Sequence, residues 1–470
     1  MNIAVIGGGF TGLSAAYSLT KSGNQVSLFE KEKFLGGLAG SFKLPSWKWQ
    51  VEQHYHHWFT NDDAALGLIK DLGLEDKLIF PKTLTSIYYG GKSYPFNTPS
   101  QILSFSALPI VDRVRFGLAT VYLKMLSKSG GQNLEKYKAI DFSQKLYGGK
   151  AYKIIWEPLL KGKFGKYASL INMAWFWARI KKRTLRLGYL EGGYKVLVDA
   201  VASQINKNGG KIYTDTTFNI ADISKYDCVI VTTPSVVFVK MFEKEISNLA
   251  GDASEGFPWR GSPKGERATK RLWSKLTQFA SDLNQVHGIR ERQDPLENSK
   301  SWAQYSKNLL SIPHLHALNL LLVTKEKFLD KEYWLNINDR TFPFIAVIQQ
   351  TNMIDPKYYG GNHLAWVANY LPPGHPYLKM STKEIFETYL PYLIKINPNF
   401  HPPAGGVNCK LFLGPFAQPV FPLNYSKIRP PFDTPIPHVY LANMDMVYPW
   451  DRGTNYAIEM GEEVAKYVVK

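Results

Sequence analysis

The chain has 470 residues, of which 45% are hydrophobic and 20% are charged, a composition typical of a folded globular protein with several domains. No apolar run approaches the ~18 residues of a membrane span, and the two cysteines, Cys228 and Cys409, form neither a CxxC motif nor a Cys/His zinc pattern. The net charge of +17 suits an anionic small-molecule substrate, peripheral contact with an anionic membrane, or simple solubility. Because the chain contains no recognisable nucleic-acid-binding module, we do not expect a nucleic-acid partner.

The first residues of the chain predict a dinucleotide-binding site. Residues 3–6 form an apolar run typical of a buried strand, and residues 13–19 predict a helix. Between them, Gly7 permits a tight turn, Gly9 lets the backbone approach a pyrophosphate, and Gly12 lets the helix pack on the strand. The free N–H groups and the positive dipole end of the helix would face the phosphates.

A second apolar run at residues 26–29 predicts the next strand, which ends in Glu30. An acid at this position accepts hydrogen bonds from the hydroxyls of an adenosine ribose. Strand, turn, helix, strand and acid occur in the required order, so an incidental Gly-rich turn is the weaker interpretation. The nucleotide-binding strand leaves no room for a signal peptide before it, and we therefore expect a cytoplasmic protein.

The middle of the chain changes character and then returns to an α/β pattern. Gly90-Gly91 predicts the tight turn of a hairpin over residues 88–95. Helices are predicted at residues 111–126, 170–182, 194–207 and 456–468, and strands at residues 211–214, 228–233, 333–337, 344–348, 364–370 and 439–442.

These elements predict an α/β fold class with two interleaved domains. A Rossmann-like dinucleotide-binding domain is built from discontinuous segments, residues 1–80, 191–248 and 406–470. A mixed α+β substrate domain takes residues 81–190 and 301–405.

Residues 249–300 predict a basic, mobile insertion between these segments. Gly, Ser, Pro and basic residues crowd its first half. Leu272, Leu276, Phe279, Leu283 and Val286 then recur at the spacing of one amphipathic helix.

Glu30 is followed by the glycine pair Gly36-Gly37 and Leu38, an E-x5-GG spacing that resembles the flavin amine oxidase superfamily. This superfamily includes protoporphyrinogen oxidases, phytoene desaturases and UDP-galactopyranose mutases. Leu38 stands where amine oxidases proper usually carry arginine, which is closer to the desaturase and oxidase-like branches. Residues 190–193 resemble the family's P-x-GG segment, and residues 441–461 resemble its closing pattern, with Asn443-Met444 in place of Gly-Asp and Asp445 as the candidate substitute.

The resemblance implies that the dinucleotide-binding domain is an FAD-binding domain with FAD as its cofactor. No metal site is predicted, because the histidines of residues 54–57 lack helix-face spacing and no carboxylate or cysteine completes a site nearby. The implied FAD-binding residues are Gly7, Gly8, Gly9, Phe10, Thr11, Gly12, Glu30, Gly36, Gly37, Leu38, Thr217, Asn443, Asn455, Tyr456 and Ala457.

Two residues are candidates for catalysis, His56 and Arg452. Residues 54–62 resemble a mutase H-x-F-H-T-N-D stretch that includes His56, although Phe59 stands at the position of the second mutase histidine. His56 is therefore either close to the flavin or satisfied within a turn. Arg452 precedes a predicted helix N-terminus, where it either adds to a positive field or forms a surface salt bridge.

Two functions stay open at this level. The first is an FAD-dependent oxidoreductase resembling the protoporphyrinogen oxidase and desaturase branch, with hydride transfer from a substrate carbon to flavin N5. The second is a non-redox flavin-dependent mutase that acts on a nucleotide sugar. The substrate, the electron acceptor and the oligomeric state are not determined by the sequence.

Overall fold

The computed structural model describes residues 1–250, 295–402 and 408–470, without the side chains of residues 244–250 and 295–300. Most of the predicted insertion at residues 249–300, including the amphipathic helix between Leu272 and Val286, lies outside the described residues.

The described residues form the following secondary structure. The strands are β1 (Asn2–Ile6), β2 (Gln25–Phe29), β3 (Ser41–Phe42), β4 (Val51–Glu52), β5 (Trp58–Phe59), β6 (Leu78–Ile79), β7 (Thr85–Tyr89), β8 (Lys92–Pro95), β9 (Leu187–Leu190), β10 (Lys211–Tyr213), β11 (Cys228–Val231), β12 (His314–Thr324), β13 (Trp334–Ile337), β14 (Ala346–Gln349), β15 (His363–Leu371), β16 (Asn408–Pro419) and β17 (Val439–Leu441). The α-helices are α1 (Phe10–Lys21), α2 (Asp63–Asp71), α3 (Pro99–Leu103), α4 (Ile110–Met125), α5 (Lys128–Gln132), α6 (Ala139–Tyr147), α7 (Gly149–Ala151), α8 (Glu157–Phe164), α9 (Met173–Lys182), α10 (Tyr194–Lys207), α11 (Ser235–Ala250), α12 (Pro295–Ser311), α13 (Thr382–Ile396) and α14 (Thr454–Val468).

A five-stranded parallel sheet has the order β10-β2-β1-β11-β17. Helix α1 connects β1 to β2 in the manner of a βαβ unit, because parallel neighbours need a crossover between them. The predicted strands at residues 3–6, 26–29, 211–214, 228–233 and 439–442 all belong to this sheet. The predicted α/β fold class, with a sheet assembled from distant parts of the chain, is confirmed.

A second sheet has seven strands in the order β16-β12-β15-β14-β13-β7-β8. Its long strands β12 and β16 are absent from the sequence-based prediction. Residues 317–323 of β12 are all buried, so they lack the alternation of apolar and polar residues that marks a strand. Strand β16 contains Gly414 and Pro415, residue types that are depleted in strands.

The cores of the molecule lie against both sheets. One face of the second sheet and α13 enclose a core that includes Leu318, Leu320, Ile385, Tyr389 and Leu393. The opposite face, with Leu321 and Trp366, joins the larger core that also surrounds the parallel sheet. Among the described residues, no helix combines the length and apolar character needed to cross a membrane.

Helices α1 and α14 pack directly against each other. A Cβ atom at Gly461 of α14 would lie 2.1 Å from Ser14 Oγ of α1, so only glycine permits this approach. Both helices follow strands of the parallel sheet, β1 and β17 respectively, and both therefore begin near its carboxyl edge. Ligands of open parallel sheets bind at this edge.

Candidate functional site

The glycine turn after β1 is closed so tightly that no side chain fits at Gly12. A Cβ atom there would lie 1.9 Å from the carbonyl oxygen of Gly7, whose own φ of +110° favours glycine. Gly36 donates its N–H to the Gly8 carbonyl oxygen at 2.8 Å, and Gly9 forms a β-bridge with Gly36. The two glycine motifs, distant in sequence, thus form one continuous backbone surface.

The first turn of α1 leaves its N–H groups available for an anion. Gly9 is the N-cap, and within the described chain no side chain caps this helix end and no acidic residue stands in its first turn. A Cβ at Gly9 would meet nothing nearer than Gly37 Cα, at 3.9 Å, so the backbone surface is open above this residue. Phe10 and Thr11, whose N–H groups belong to this turn, are buried with it. An FAD pyrophosphate fits this turn by charge and by space.

Glu30 lies immediately beyond β2 and faces the same turn. Its Oε2 accepts the Gly8 N–H at 2.7 Å, and its Oε1 accepts the Glu32 N–H at 2.8 Å. These bonds orient the carboxylate beside the glycine turn, where a ribose would lie. Thr217 lies in the loop after β10, next to Thr216, whose N–H donates to the Glu30 carbonyl oxygen at 2.9 Å.

The loop after β17 is held by buried polar groups. The Asn443 amide donates to the Thr233 carbonyl oxygen and to Ser235 Oγ, both at 3.0 Å. Asp445, the candidate substitute for the family's acid, is hydrogen-bonded to His314 Nε2 at 2.7 Å and accepts the Ser235 hydroxyl. The Asp445 carboxylate is therefore committed to this internal network, which joins the start of β12 to the parallel sheet.

The N-terminus of α14 is assembled by contacts from residues 58–65. Trp58 Nε1 donates to Thr454 Oγ1 at 2.9 Å, and the Ala65 N–H donates to Asn455 Oδ1 at 3.0 Å. Tyr456 stacks on Trp450, and the Ala457 N–H donates to the Gly453 carbonyl oxygen at 3.0 Å. In the part of the chain that is described, no side chain caps this end either. Its free N–H groups can therefore face a polar ring edge or an anion.

Beside this helix end lies a cavity of about 230 Å³ between the helical segments and the second sheet. Its lining includes five cations and two carboxylates: Lys163, Arg179, Lys182, Arg183, Arg452, Asp62 and Asp451. The candidates His56, Arg452, Asn455 and Tyr456 line it together. Leu38 is outside this lining, beside His54 and Gly414.

His56 has a defined tautomer. Its Nδ1 lies 2.6 Å from the His54 carbonyl oxygen, which can only accept, so Nδ1 carries the proton and Nε2 keeps its lone pair. Burial lowers the pKa of His56 to about 4, and the charge of Arg452 acts in the same direction. His56 is therefore a neutral base at neutral pH.

Within the described residues Arg452 forms no salt bridge; its Nε donates to Gln418 Oε1 at 3.2 Å, and its guanidinium lies 5.0 Å from the centre of the Tyr370 ring. Asp451, the residue before it, accepts from Lys163 Nζ at 2.9 Å and from Arg179 at 2.8 Å. Arg452 is thus free of a carboxylate partner among the described residues and available to an anionic ligand.

The cluster of Lys163, Arg179 and Asp451 is absent from the sequence-based candidates. Burial would raise the pKa of Asp451, but the charges of Lys163 and Arg179 outweigh it and lower the pKa to about 2. Burial lowers the pKa of Lys163 to about 7 against the opposing attraction of Asp451. The only local signal is the basic character of residues 179–186, because Lys163 and Asp451 are 288 residues apart.

Glu52 is a buried ionisable group that the sequence does not reveal. Its carboxylate accepts the Tyr189 hydroxyl at 3.0 Å and the Tyr194 N–H at 2.8 Å. Burial raises its pKa to about 7. The Tyr194 ring stacks on Trp58, with ring centres 4.0 Å apart, and lies 5.4 Å from the ring of His56, which lines the cavity.

Comparison with known proteins shows the family of the chain. Residues 10–255, just over half of the chain, match the family described as flavin containing amine oxidoreductase. Zeta-carotene desaturase of Solanum lycopersicum is 27% identical over 179 residues, which cover 34% of this chain and 30% of that protein. Protoporphyrinogen oxidase 2 of Arabidopsis thaliana is 22% identical over 213 residues, which cover 44% of this chain and 40% of that protein.

The chain thus spans less than half of the length of these curated relatives. Among solved structures, reduced UDP-galactopyranose mutase superposes with a TM-score of 0.67 at 14% identity, covering 100% of this chain and 95% of that one. This likeness establishes a shared fold.

Proposed function

The chain belongs to the flavin-containing amine oxidoreductase family, an FAD-dependent class of oxidoreductases, and we propose that it oxidises a compact anionic substrate bound in the 230 Å³ cavity. The observation that carries this proposal is the position of the cavity: a cation-rich wall adjoins the uncapped N-terminus of α14. The chemistry that FAD would supply at this site is acceptance of a hydride from a substrate carbon at flavin N5.

The proposed FAD contacts follow from the geometry of the two glycine motifs. The first turn of α1 would hold the pyrophosphate, and Glu30 would bind the adenosine ribose. Gly36 and Gly37 would contact the part of FAD that connects the pyrophosphate to the flavin. Thr217, Asn443, Asn455, Tyr456 and Ala457 are proposed to line the rest of the cofactor site. Because the side chains of Asn443 and Asn455 bind other parts of the protein, backbone contacts are the ones left open.

The charge of the cavity supports an anionic substrate. Five cations face two carboxylates there, and one carboxylate, Asp451, is already paired with Lys163 and Arg179. A hydrocarbon in this space would strip water from charged groups without replacing their hydrogen bonds, at a cost of several kcal/mol. The lining therefore argues against a carotene-like substrate, although carotene desaturases are among the relatives.

The size of the cavity supports a compact reacting part. At about 230 Å³ it is smaller than the roughly 300–1,000 Å³ of sites for drug-sized ligands. A single ring with a phosphate or carboxylate beside Arg452 suits this volume.

His56 is proposed to accept the proton that leaves the substrate together with the hydride. Its Nε2 carries the lone pair, and the His54 carbonyl oxygen holds the ring through Nδ1. An anionic substrate beside the ring would favour the protonated form and so raise a pKa that burial now holds at about 4. Arg452 is proposed to orient the anionic group of the substrate.

The test is anaerobic mixing of the holoenzyme with phosphorylated sugars and with their uncharged parents. We expect the phosphorylated compound alone to bleach the flavin absorbance. Replacement Arg452→Gln should raise KM by about 10–100-fold, the loss of one charge-assisted hydrogen bond of ~1.5–3 kcal/mol. The matched control Arg186→Gln, at an exposed arginine outside the cavity lining, should leave KM unchanged. The proposal would be contradicted if an uncharged parent sugar bleached the flavin absorbance with the same KM as its phosphorylated form.

A mutase reaction on a nucleotide sugar is the second candidate, favoured by the same cation-rich lining. It predicts turnover of the nucleotide sugar only after chemical reduction of the flavin, with the flavin still reduced at the end. Oxidation of substrate with matching flavin bleaching excludes it.

A further inference from the structure

Helix α4 carries an apolar face that the described part of the chain leaves uncovered. Its side chains are between 46% and 78% exposed, and they are Ile110, Val111, Val114, Leu118, Val121, Tyr122 and Met125. At about 100° per residue, they fall within roughly 120° of the helix circumference. Phe116, Ala119 and Leu123, on the opposite side of the helix, are buried in the core. We call the exposed set the α4 stripe.

Such a stripe is unusual on a soluble surface. Isolated exposed apolar residues are common, but a contiguous row along four turns of one helix marks an interaction surface. The core residues on the other side already anchor α4, so the stripe is not needed to hold the helix in place.

Basic side chains flank the α4 stripe. Lys124 and Arg113 lie on one edge of the helix, and Arg115 lies on the other edge. Asp112 is the one acidic residue of α4, so the helix has a net positive charge. Arg113 and Arg115 donate to backbone carbonyl oxygens, and neither forms a salt bridge among the described residues. Their positive charges therefore remain available to an anionic surface.

The C-terminal end of α4 adjoins the cavity. Lys124 Nζ donates to the Arg183 carbonyl oxygen at 2.9 Å. Residues 182–185 belong to the cavity lining, and Leu185 among them is 57% exposed. A surface that covered the α4 stripe would therefore lie close to an edge of the cavity.

We propose that the α4 stripe docks on a lipid bilayer that contains anionic headgroups, with its apolar side chains entering the boundary between headgroups and acyl chains. A second copy of this chain is disfavoured as the occupant, because each copy carries a net charge of +17 and the stripe is flanked by cations. A bilayer supplies both an apolar layer and the opposite charge. Docking is independent of the chemistry in the cavity.

The test is flotation of the holoenzyme with phosphatidylcholine vesicles, with and without phosphatidylglycerol. We expect binding to the anionic vesicles that weakens with added salt, and at least about tenfold weaker binding to the neutral ones. The double variant Leu118→Glu/Met125→Glu should reduce binding by about tenfold or more. Both side chains are largely exposed, at 68% and 78%, so flavin content and absorbance should be unchanged.

The matched control is Ile428→Glu/Val469→Glu, which changes apolar residues of 46% and 43% exposure on other elements. This control should bind anionic vesicles like the unmodified protein. Unaltered vesicle binding by Leu118→Glu/Met125→Glu would overturn the proposal. An absence of binding to the anionic vesicles would also overturn it, and a dimer that the same variant dissociates in sedimentation velocity would then identify a second copy as the occupant.

Discussion

The buried carboxylate of Asp451 allows the sharpest test of how the wall of the cavity is held together. Asp451 accepts hydrogen bonds from Lys163 Nζ, from Arg179, and from Trp175 Nε1 at 3.1 Å. Asp451→Asn keeps the shape of the side chain but removes its charge. Its amide N–H groups would then face the two cations, which are also donors.

The expected loss follows from burial. The side chains of Lys163 and Asp451 are only 7% and 19% exposed, and removal of one partner from a buried pair costs about 3–5 kcal/mol. Arg179 is 26% exposed, so water recovers part of its solvation. We therefore expect the free energy of unfolding to fall by about 3 kcal/mol, the lower end of that range. The loss should be smaller above a pH of about 7, where Lys163 gives up its proton.

The assay is equilibrium denaturation of the holoenzyme in urea, followed by tryptophan fluorescence. The matched control is Asp71→Asn, which breaks the Lys21–Asp71 ion pair of 2.7 Å, whose side chains are 56% and 52% exposed. That exposed pair should contribute about 0–1 kcal/mol. Equal losses for the two variants would refute the reasoning that burial sets the strength of the Asp451 contacts.

Further predictions concern the cofactor site and its buried acid. Gly12→Ala places a Cβ 1.9 Å from a backbone oxygen and should abolish flavin binding, whereas Gly67→Ala, with nothing within 4 Å, should leave the flavin-to-protein ratio unchanged. Glu30→Ala should weaken FAD binding by about 10–100-fold, measured by titration, because its charge-assisted hydrogen bonds are worth ~1.5–3 kcal/mol; a change as small as that of the exposed control Glu32→Ala would remove Glu30 from the ribose site. Burial raises the pKa of Glu52 from 4.5 to about 7. Between pH 4.5 and about 7 the unfolded chain therefore loses this proton before the folded one does, and the free energy of unfolding falls as the pH rises. Above a pH of about 7 this loss of stability is constant. Glu52→Gln should therefore gain stability over the unmodified protein as the pH rises through this window, by up to about 3 kcal/mol in urea denaturation, and a pH-independent difference would contradict the assignment.

The glycine turn and its neighbouring acid could be predicted because they depend on local geometry. Gly7 has a positive φ and Gly12 has no room for a side chain, whatever the rest of the chain does. Helix α10 also follows its prediction at residues 194–207, since its apolar spacing and the glycines at its ends are local signals. These features identify a dinucleotide site and, through the resemblance, FAD.

The wall of the cavity could not be predicted, because it depends on pairs that are distant in sequence. Asp451 of the cavity lining meets Lys163 across 288 residues, and Glu52, which lies outside that lining, meets Tyr189 across 137. Neither acid belongs to a local motif. The pKa of each depends on its burial and on its partners, which only the folded chain brings together.

The local sequence therefore indicates a dinucleotide site, because nucleotide binding uses backbone turns that a few glycines and one acid encode, and the family resemblance adds FAD. The cavity, by contrast, forms only in the folded chain, where β13, β14 and β15 of the second sheet lie beside the cations of α8 and α9. The charge, the volume and the pKa values of the cavity depend on packing between distant segments, so no single segment of the chain predicts them.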